Sequence, residues 1–333
     1  RHYETHPFKL PRNLVKYDVI YTTYRCLFGL MNAFASQLTT PQVQHLFWCL
    51  FSPELATIEG EHSVTIKLDT PLTQWFTDLD QYPDPLLCYL SQQKPRLLGS
   101  YFECLWQFFF QFNPQWQLLA HNVQVIKNKQ TLGELDIIAS QQSTVTHLEL
   151  AVKFYLQHPD YDGLQCQHWL GPQCRDRLDI KLSKLHNKQL PFLTHPATQE
   201  ALKSRQLPAP SQQRLILKGY LFHQWKMPFK RPPAVNKQCL MGQWLHQSDI
   251  KHLVTGHDSW LIIEKPQWLG HFKSHKQTLS CCLTAKEIIG FTLNHFANDT
   301  YKHALMLVKI SNSEVDSIEA ERFLIVNDDW PNV

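Results

Sequence analysis

The chain has 333 residues, 43% of them apolar and 18% charged, which excludes a disordered polypeptide and supplies side chains for a large core, expected here as two packed parts. A formal net charge of +3 neither demands nor excludes nucleic acid, so the clustering of basic residues has to decide that question. Nine scattered cysteines without a C-x-x-C spacing, and apolar stretches too short to span a bilayer, exclude a cysteine metal knot and point to reduced thiols in a cytoplasmic protein.

Residues 1–30 mix aromatic, Cys and basic residues without periodicity and are expected to be an extension outside a fold that starts at Met31. Thr40 before Pro41 suits an N-cap and first helical position, and Val43, Leu46, Phe47 and Leu50 recur at helical spacing, so a helix is expected to end near Ser52-Pro53. Pro71, Pro83, Pro85 and Pro95 then read as short pieces and turns, which completes a helical N-terminal part over residues 31–98. Tyr101 to Phe112 reads as a buried helix that carries one acid, Glu103, and stops at Asn113-Pro114.

Three runs of strand character follow, Gln117 to Ile126, Leu132 to Ala139 and Val145 to Leu156, the last two joined through a Gln141-Gln142-Ser143 turn. Gly171-Pro172 precedes an expected helix from about Arg175 to Lys188 with a stripe of Leu178, Leu182 and Leu185. A strand from Arg214 to Phe222 closes a core over residues 99–225. Past Pro228 a basic, proline-rich stretch leads to strands at Trp260 to Glu264, Ala304 to Ile310 and Phe323 to Val326, an α+β extension over residues 226–333. Trp225, Trp244, Trp260, Trp268 and Trp330 are expected to pack the interior rather than to stack on bases. His271 and His275 stand four apart, as zinc ligands on a helix do, but no third ligand sits at a recognisable spacing, and surface histidines are expected.

Strand side chains alternate, so Glu134 and Asp136 share one face, and Glu149, Ala151 and Lys153 share a face of the next strand. Pairing through the Gln141 turn brings Asp136 towards Glu149. Clustered carboxylates are costly unless a proton or cation sits among them. Mg2+ is held by one or two carboxylates with waters and phosphate oxygens, and a nearby lysine stabilises the phosphate charge. Residue types alone leave two readings open: a metal site, or solvated acids with Lys153 as a cross-strand partner. Arg177, Lys181, Lys184 and Lys188 recur at spacings of 4, 3 and 4, forming either a ridge for a phosphate backbone or a solvated face.

Gly133-Glu134-Leu135-Asp136-Ile137-Ile138, followed by His147-Leu148-Glu149, resembles the G-E-x-D and strand-borne acid motifs of the PD-(D/E)XK nuclease superfamily. Gly99-Ser100-Tyr101-Phe102-Glu103, the run from Glu149 to Leu156, and Gly171-Pro172 with Arg175-Asp176-Arg177-Leu178-Asp179 are similar to a bacterial family, domain of unknown function 1853, grouped with that superfamily; the resemblance runs from about Gln44 to the end. It implies an α/β PD-(D/E)XK (restriction-endonuclease-like) core with an N-terminal helical part and a C-terminal α+β extension. It also implies hydrolysis of phosphodiester bonds in DNA or RNA with Mg2+ or Mn2+, Asp136, Glu149 and Glu134 serving the metal, Glu103 as supporting acid and Lys153 as charge stabiliser. The alternative is a module that keeps the fold, has lost turnover, and binds nucleic acid or a protein partner. One departure matters: the superfamily lysine stands two residues after the acid, whereas here Ala151 takes that place and Lys153 comes four after Glu149. That is about 13 Å between Cα atoms instead of about 7 Å, so Lys153 has to reach back along the strand, or the site is altered or inactive.

Overall fold

Pro41–Phe51 forms helix α1 with its proline in the first turn, in a computed structural model that describes residues 33–56, 66–254, 258–275, 282–298, 303–312 and 316–332. The expected N-terminal extension, residues 1–30, and Met31 lie outside the described residues. Thr40 does not cap α1 with its side chain; its backbone N–H donates to Asp80 Oδ1 at 2.8 Å and so pins α1 to the next helix. The turns expected at Pro71 and Pro85 are instead the first turns of two helices, α2 (Thr70–Gln81) and α3 (Asp84–Gln93). A proline there gives up an N–H that has no helical partner anyway, and Asp69 caps α2 by accepting the Leu72 N–H. Helix α4 (Leu98–Phe112) agrees with its expectation and is buried at Phe102, Leu105, Trp106, Phe109 and Phe110.

The meander follows as expected, with β1 (Gln117–Lys127), β2 (Gln130–Gln141) and β3 (Thr144–Gln157) antiparallel, Gln142 turning the second corner at a φ of 54°. A two-residue strand, β4 (Trp169–Leu170), lies against the end of β3. The helix expected from Arg175 starts later: Arg177 bridges to Leu170, and α5 begins at Leu178, running to Lys184. It continues through a π turn, Leu185–Gln189, and a last turn, Leu190–Phe192. Then come α6 (Pro196–Ser204), β5 (Gln212–Gln224) and β6 (Leu240–His246). The remaining elements are β7 (Ser259–Ile263), β8 (Lys273–His275), α7 (Ala285–Asn298), β9 (Leu305–Asn312) and β10 (Asp316–Val326).

These strands form one mixed sheet in the order β1-β2-β3-β5-β6-β10-β9-β7, with β8 paired to β10. The steps from β3 to β5, β5 to β6 and β6 to β10 are parallel, and the rest are antiparallel. The expected border at residue 225 therefore falls between two neighbouring strands of a continuous sheet.

Alternation along β3 sorts its side chains between two cores. Leu148, Leu150, Phe154 and Leu156 pack with α1 to α4, while Ala151 and Tyr155 pack with Leu178, Leu185 and Leu190 of the α5 region. Glu149, Ala151 and Lys153 thus share the α5 face, as the period of two requires. Trp244, Trp260, Trp268 and Trp330 are buried and Trp225 is partly so, in line with packing roles. His275 lies in β8 and His271 just before it, not on a helix. His271 Nδ1 stands 3.9 Å from Glu319 Oε1.

Candidate metal and phosphate site

The β2–β3 ladder runs from Gln141 and Thr144 to Ile137 and Leu148 and then stops. The next facing pair would be Asp136 and Glu149. In place of backbone pairing, Asp136 Oδ2 accepts the Leu150 N–H at 2.7 Å, and the two strands fork. β3 stays ordered past the fork because β5 pairs with it as far as Leu156 and Phe222. One carboxylate therefore sits on each prong, with α4 supplying Glu103, α5 supplying Lys181 and Lys184, and the π turn after it supplying Gln189.

Glu149 is 3% exposed and its carboxyl is pushed up to about 8, first by burial and then by the charge of Asp136, with Lys181, the Gln189 amide and Lys184 pulling it down. Burial also raises Asp136, to about 6; the Leu150 N–H opposes this, Glu134 adds to it, and Lys181 and Lys184 lower it. Glu103 is raised to about 7 by burial and by the charges of Asp136 and Glu134, with the Asn122 amide pulling the other way. The charge of Asp136 thus acts on both Glu149 and Glu103 across the fork. Gln189 Nε2 donates to Glu149 Oε1, and Gln189 Oε1 accepts from Lys181 Nζ at 3.2 Å.

Among the described residues, no three of His, Cys, Asp and Glu are grouped so as to hold a metal, so Glu134 is a charge neighbour and is not gathered into a ligand set. The donor set that remains is Asp136 with Glu149. Asp136 Oδ1 and Glu149 Oε2 receive no hydrogen bond from the described residues. Two hard, mutually repelling oxygen ligands fit a cation such as Mg2+, which takes the rest of its shell from water and phosphate oxygens.

Lys153 is bound to a different acid, though its charge still reaches Lys181. Its Nζ lies 2.6 Å from Asp176 Oδ2, an oxygen that also accepts from Tyr155 Oη at 3.3 Å, while Asp176 Oδ1 accepts the Arg177 N–H at 2.9 Å. Across the sheet from Lys153 stands Gly219, at a φ of 143°. The basic ridge is interrupted as well: Arg177 is the residue before α5 and is bound to both oxygens of Asp179, at 2.6 and 3.0 Å. Lys181 turns towards Gln189. Lys184 and Lys188 are exposed, and the π turn between them breaks the helical period.

The residues that the sequence left unnoticed are Gln189 and Asn122, together with the inward role of Lys181. A signal existed for the first: buried Leu185 and Leu190 stand five apart, the step of a π turn.

Over residues 44–326 the chain matches the family described as Domain of unknown function (DUF1853). No curated protein and no solved structure matches it.

Proposed function

The chain belongs to the DUF1853 family, and on that footing we propose that the fork between β2 and β3 is the active site of a Mg2+- or Mn2+-dependent nuclease acting on phosphodiester bonds of DNA or RNA. The observation that carries this reading is the Asp136 to Leu150 hydrogen bond at 2.7 Å at the point where the strand ladder ends, which leaves the half-buried Asp136 and the buried Glu149 side by side at the fork. The order α4, β1, β2, β3, α5, β5, an antiparallel meander joined to a parallel fourth strand, supports a PD-(D/E)XK-like core.

Asp136 and Glu149 would hold the cation, which when bound polarises a phosphate and lowers the pKa of its water. The chain's own groups supply the rest. Burial keeps bulk water from Glu149, and Glu103, raised to about 7, accepts or returns a proton near neutrality. The exposed Lys184 and Lys188 draw the phosphate backbone towards the fork.

A second reading, a nucleic-acid or protein-binding module without turnover, is favoured by the engagement of Lys153 with Asp176 at 2.6 Å. A cleavage screen over single- and double-stranded DNA and RNA with Mg2+, Mn2+ or EDTA separates the two. Cleavage that needs the cation and is absent from Asp136→Asn supports the nuclease. A chain that binds neither cation and cuts no substrate belongs to the second reading.

A further inference from the structure

We infer that Lys181, not Lys153, brings the positive charge to the reacting phosphate, and that Gln189 is the positioning residue that holds Lys181 against Glu149. The inference rests on the nuclease reading of the fork and names the residue that meets the substrate there. Three geometric observations lead to it.

First, helical spacing puts Lys181 three residues after Leu178 and four before Leu185, on the same face as both. Those two leucines pack in one cluster with Ala151, so Lys181 rides on α5 above the position two residues after Glu149. A small side chain at 151 lets the helix lie close to β3. A lysine from the helix then reaches the region that a strand lysine at 151 would have reached.

Second, the contacts run straight to the acid: Lys181 Nζ to Gln189 Oε1 at 3.2 Å, and Gln189 Nε2 to Glu149 Oε1. The π turn is what aims Gln189, because an inserted residue rotates position 189 relative to an uninterrupted helix. Third, Lys153 is committed. Its partner Asp176 is itself fixed by the Tyr155 hydroxyl and the Arg177 N–H, so Lys153 is tied to an acid that is held in place.

The test uses the full chain and labelled DNA and RNA oligonucleotides, with binding read by anisotropy in EDTA and cleavage read in Mn2+. Lys181→Ala should weaken binding about tenfold or more, the loss of one charge-assisted contact, and lower cleavage about 100-fold. Lys181→Arg should recover part of both, and Lys153→Ala should leave both within about twofold of the parent chain, given that its charge is already satisfied. Gln189→Leu should lower kcat more than it raises KM, since it unties the lysine without removing its charge. Melting curves identify any variant that fails to fold, in which case Lys181→Gln replaces Lys181→Ala. Loss of binding and cleavage in Lys153→Ala but not in Lys181→Ala overturns the inference. A parent chain that binds but never cleaves removes the nuclease reading while the binding arm still decides between the two lysines. A parent chain that does neither overturns both.

Discussion

Asp136 and Leu150 are joined by a side-chain hydrogen bond of 2.7 Å at the point where the backbone ladder between their strands ends. An acid that replaces a ladder carbonyl has two separable duties, as a hydrogen-bond acceptor and as a charge. Asp136→Asn keeps an acceptor for the Leu150 N–H and removes a half-buried charge that faces Glu149, so stability at pH 8 should hold or rise by about 1 kcal/mol, while Mn2+ binding by calorimetry is lost. Asp136→Ala removes the acceptor too and should cost about 1–3 kcal/mol. Equal metal affinity in Asp136→Asn and the parent chain would place the cation elsewhere.

The acids of the fork also set a pH dependence. Glu103 and Glu149, raised to about 7 and about 8, hold protons in the folded chain that an unfolded chain releases near its ordinary value of about 4. Because the folded state binds more protons in that window, these groups make stability fall as pH rises from about 4 to about 8. His45 and His147, lowered to about 4 by burial, work in the opposite direction below their ordinary value of about 6.5. Above that point these two histidines no longer oppose the acids. The expected result is a melting temperature that declines from about pH 6.5 to about pH 8 without divalent metal, and a stabilisation by Mg2+ that grows over the same interval as protons leave. A Mg2+ effect that does not vary with pH would disconnect the cation from these carboxyls.

Much of this arrangement is legible in the sequence, and the parts that are not have identifiable causes. The meander and α4 follow from strict periods, and alternation alone puts Glu149, Ala151 and Lys153 on one face. Helices α2 and α3 are hidden because Pro71 and Pro85 carry the same letter whether they break a helix or open one. Strand β6 is hidden by Gly242, whose missing side chain leaves room for the Phe222 ring. On α7 the buried stripe is Ile288, Thr292 and Phe296, and a threonine in the middle of it disguises the apolar period. At the site, the proximity of Asp136 and Glu149 is readable, but the fork is not, since it depends on a side chain taking a backbone partner. The basic ridge is misread for a related reason: equal spacing of Arg177, Lys181, Lys184 and Lys188 implies one face only if the helix is regular throughout, and it is not.

Gly219 gives a structural test of the strand that carries the acid. It faces Lys153 in the β3–β5 pairing at a φ of 143°, and a Cβ there would stand 1.7 Å from the Lys153 carbonyl oxygen. Since that atom is backbone, relief requires β3 or β5 to move. Gly219→Ala should destabilise by about 3 kcal/mol or more, through steric overlap added to an unfavourable φ, and should disturb the Lys153 to Asp176 pair first. Urea denaturation measures this. A loss under about 1 kcal/mol would mean that the two strands are not held this closely.

The final prediction concerns a buried ion pair far from the fork, between Arg322 and Glu319 on β10. The side chains are 1% and 3% exposed, and Arg322 Nε and Nη2 reach the two Glu319 oxygens at 2.8 and 2.7 Å. Arg322 also donates to the carbonyls of Trp268 and Gly270 and lies over the Tyr220 ring, while Glu319 accepts the Phe272 N–H at 2.8 Å. The pair thus satisfies the backbone of the 268–272 segment where it crosses the sheet. Arg322→Met leaves a buried carboxylate and two carbonyls without their donor, so it should cost about 3–5 kcal/mol. Pairing it with Glu319→Gln removes the stranded charge and should recover part of that loss, a coupling that a double-mutant cycle in urea reads directly. Because the pair serves packing and not the fork, Mn2+ affinity measured well below the melting temperature should be unchanged in the double variant. If the double variant is no more stable than Arg322→Met alone, the cost lies in the two carbonyls rather than in the unpaired acid.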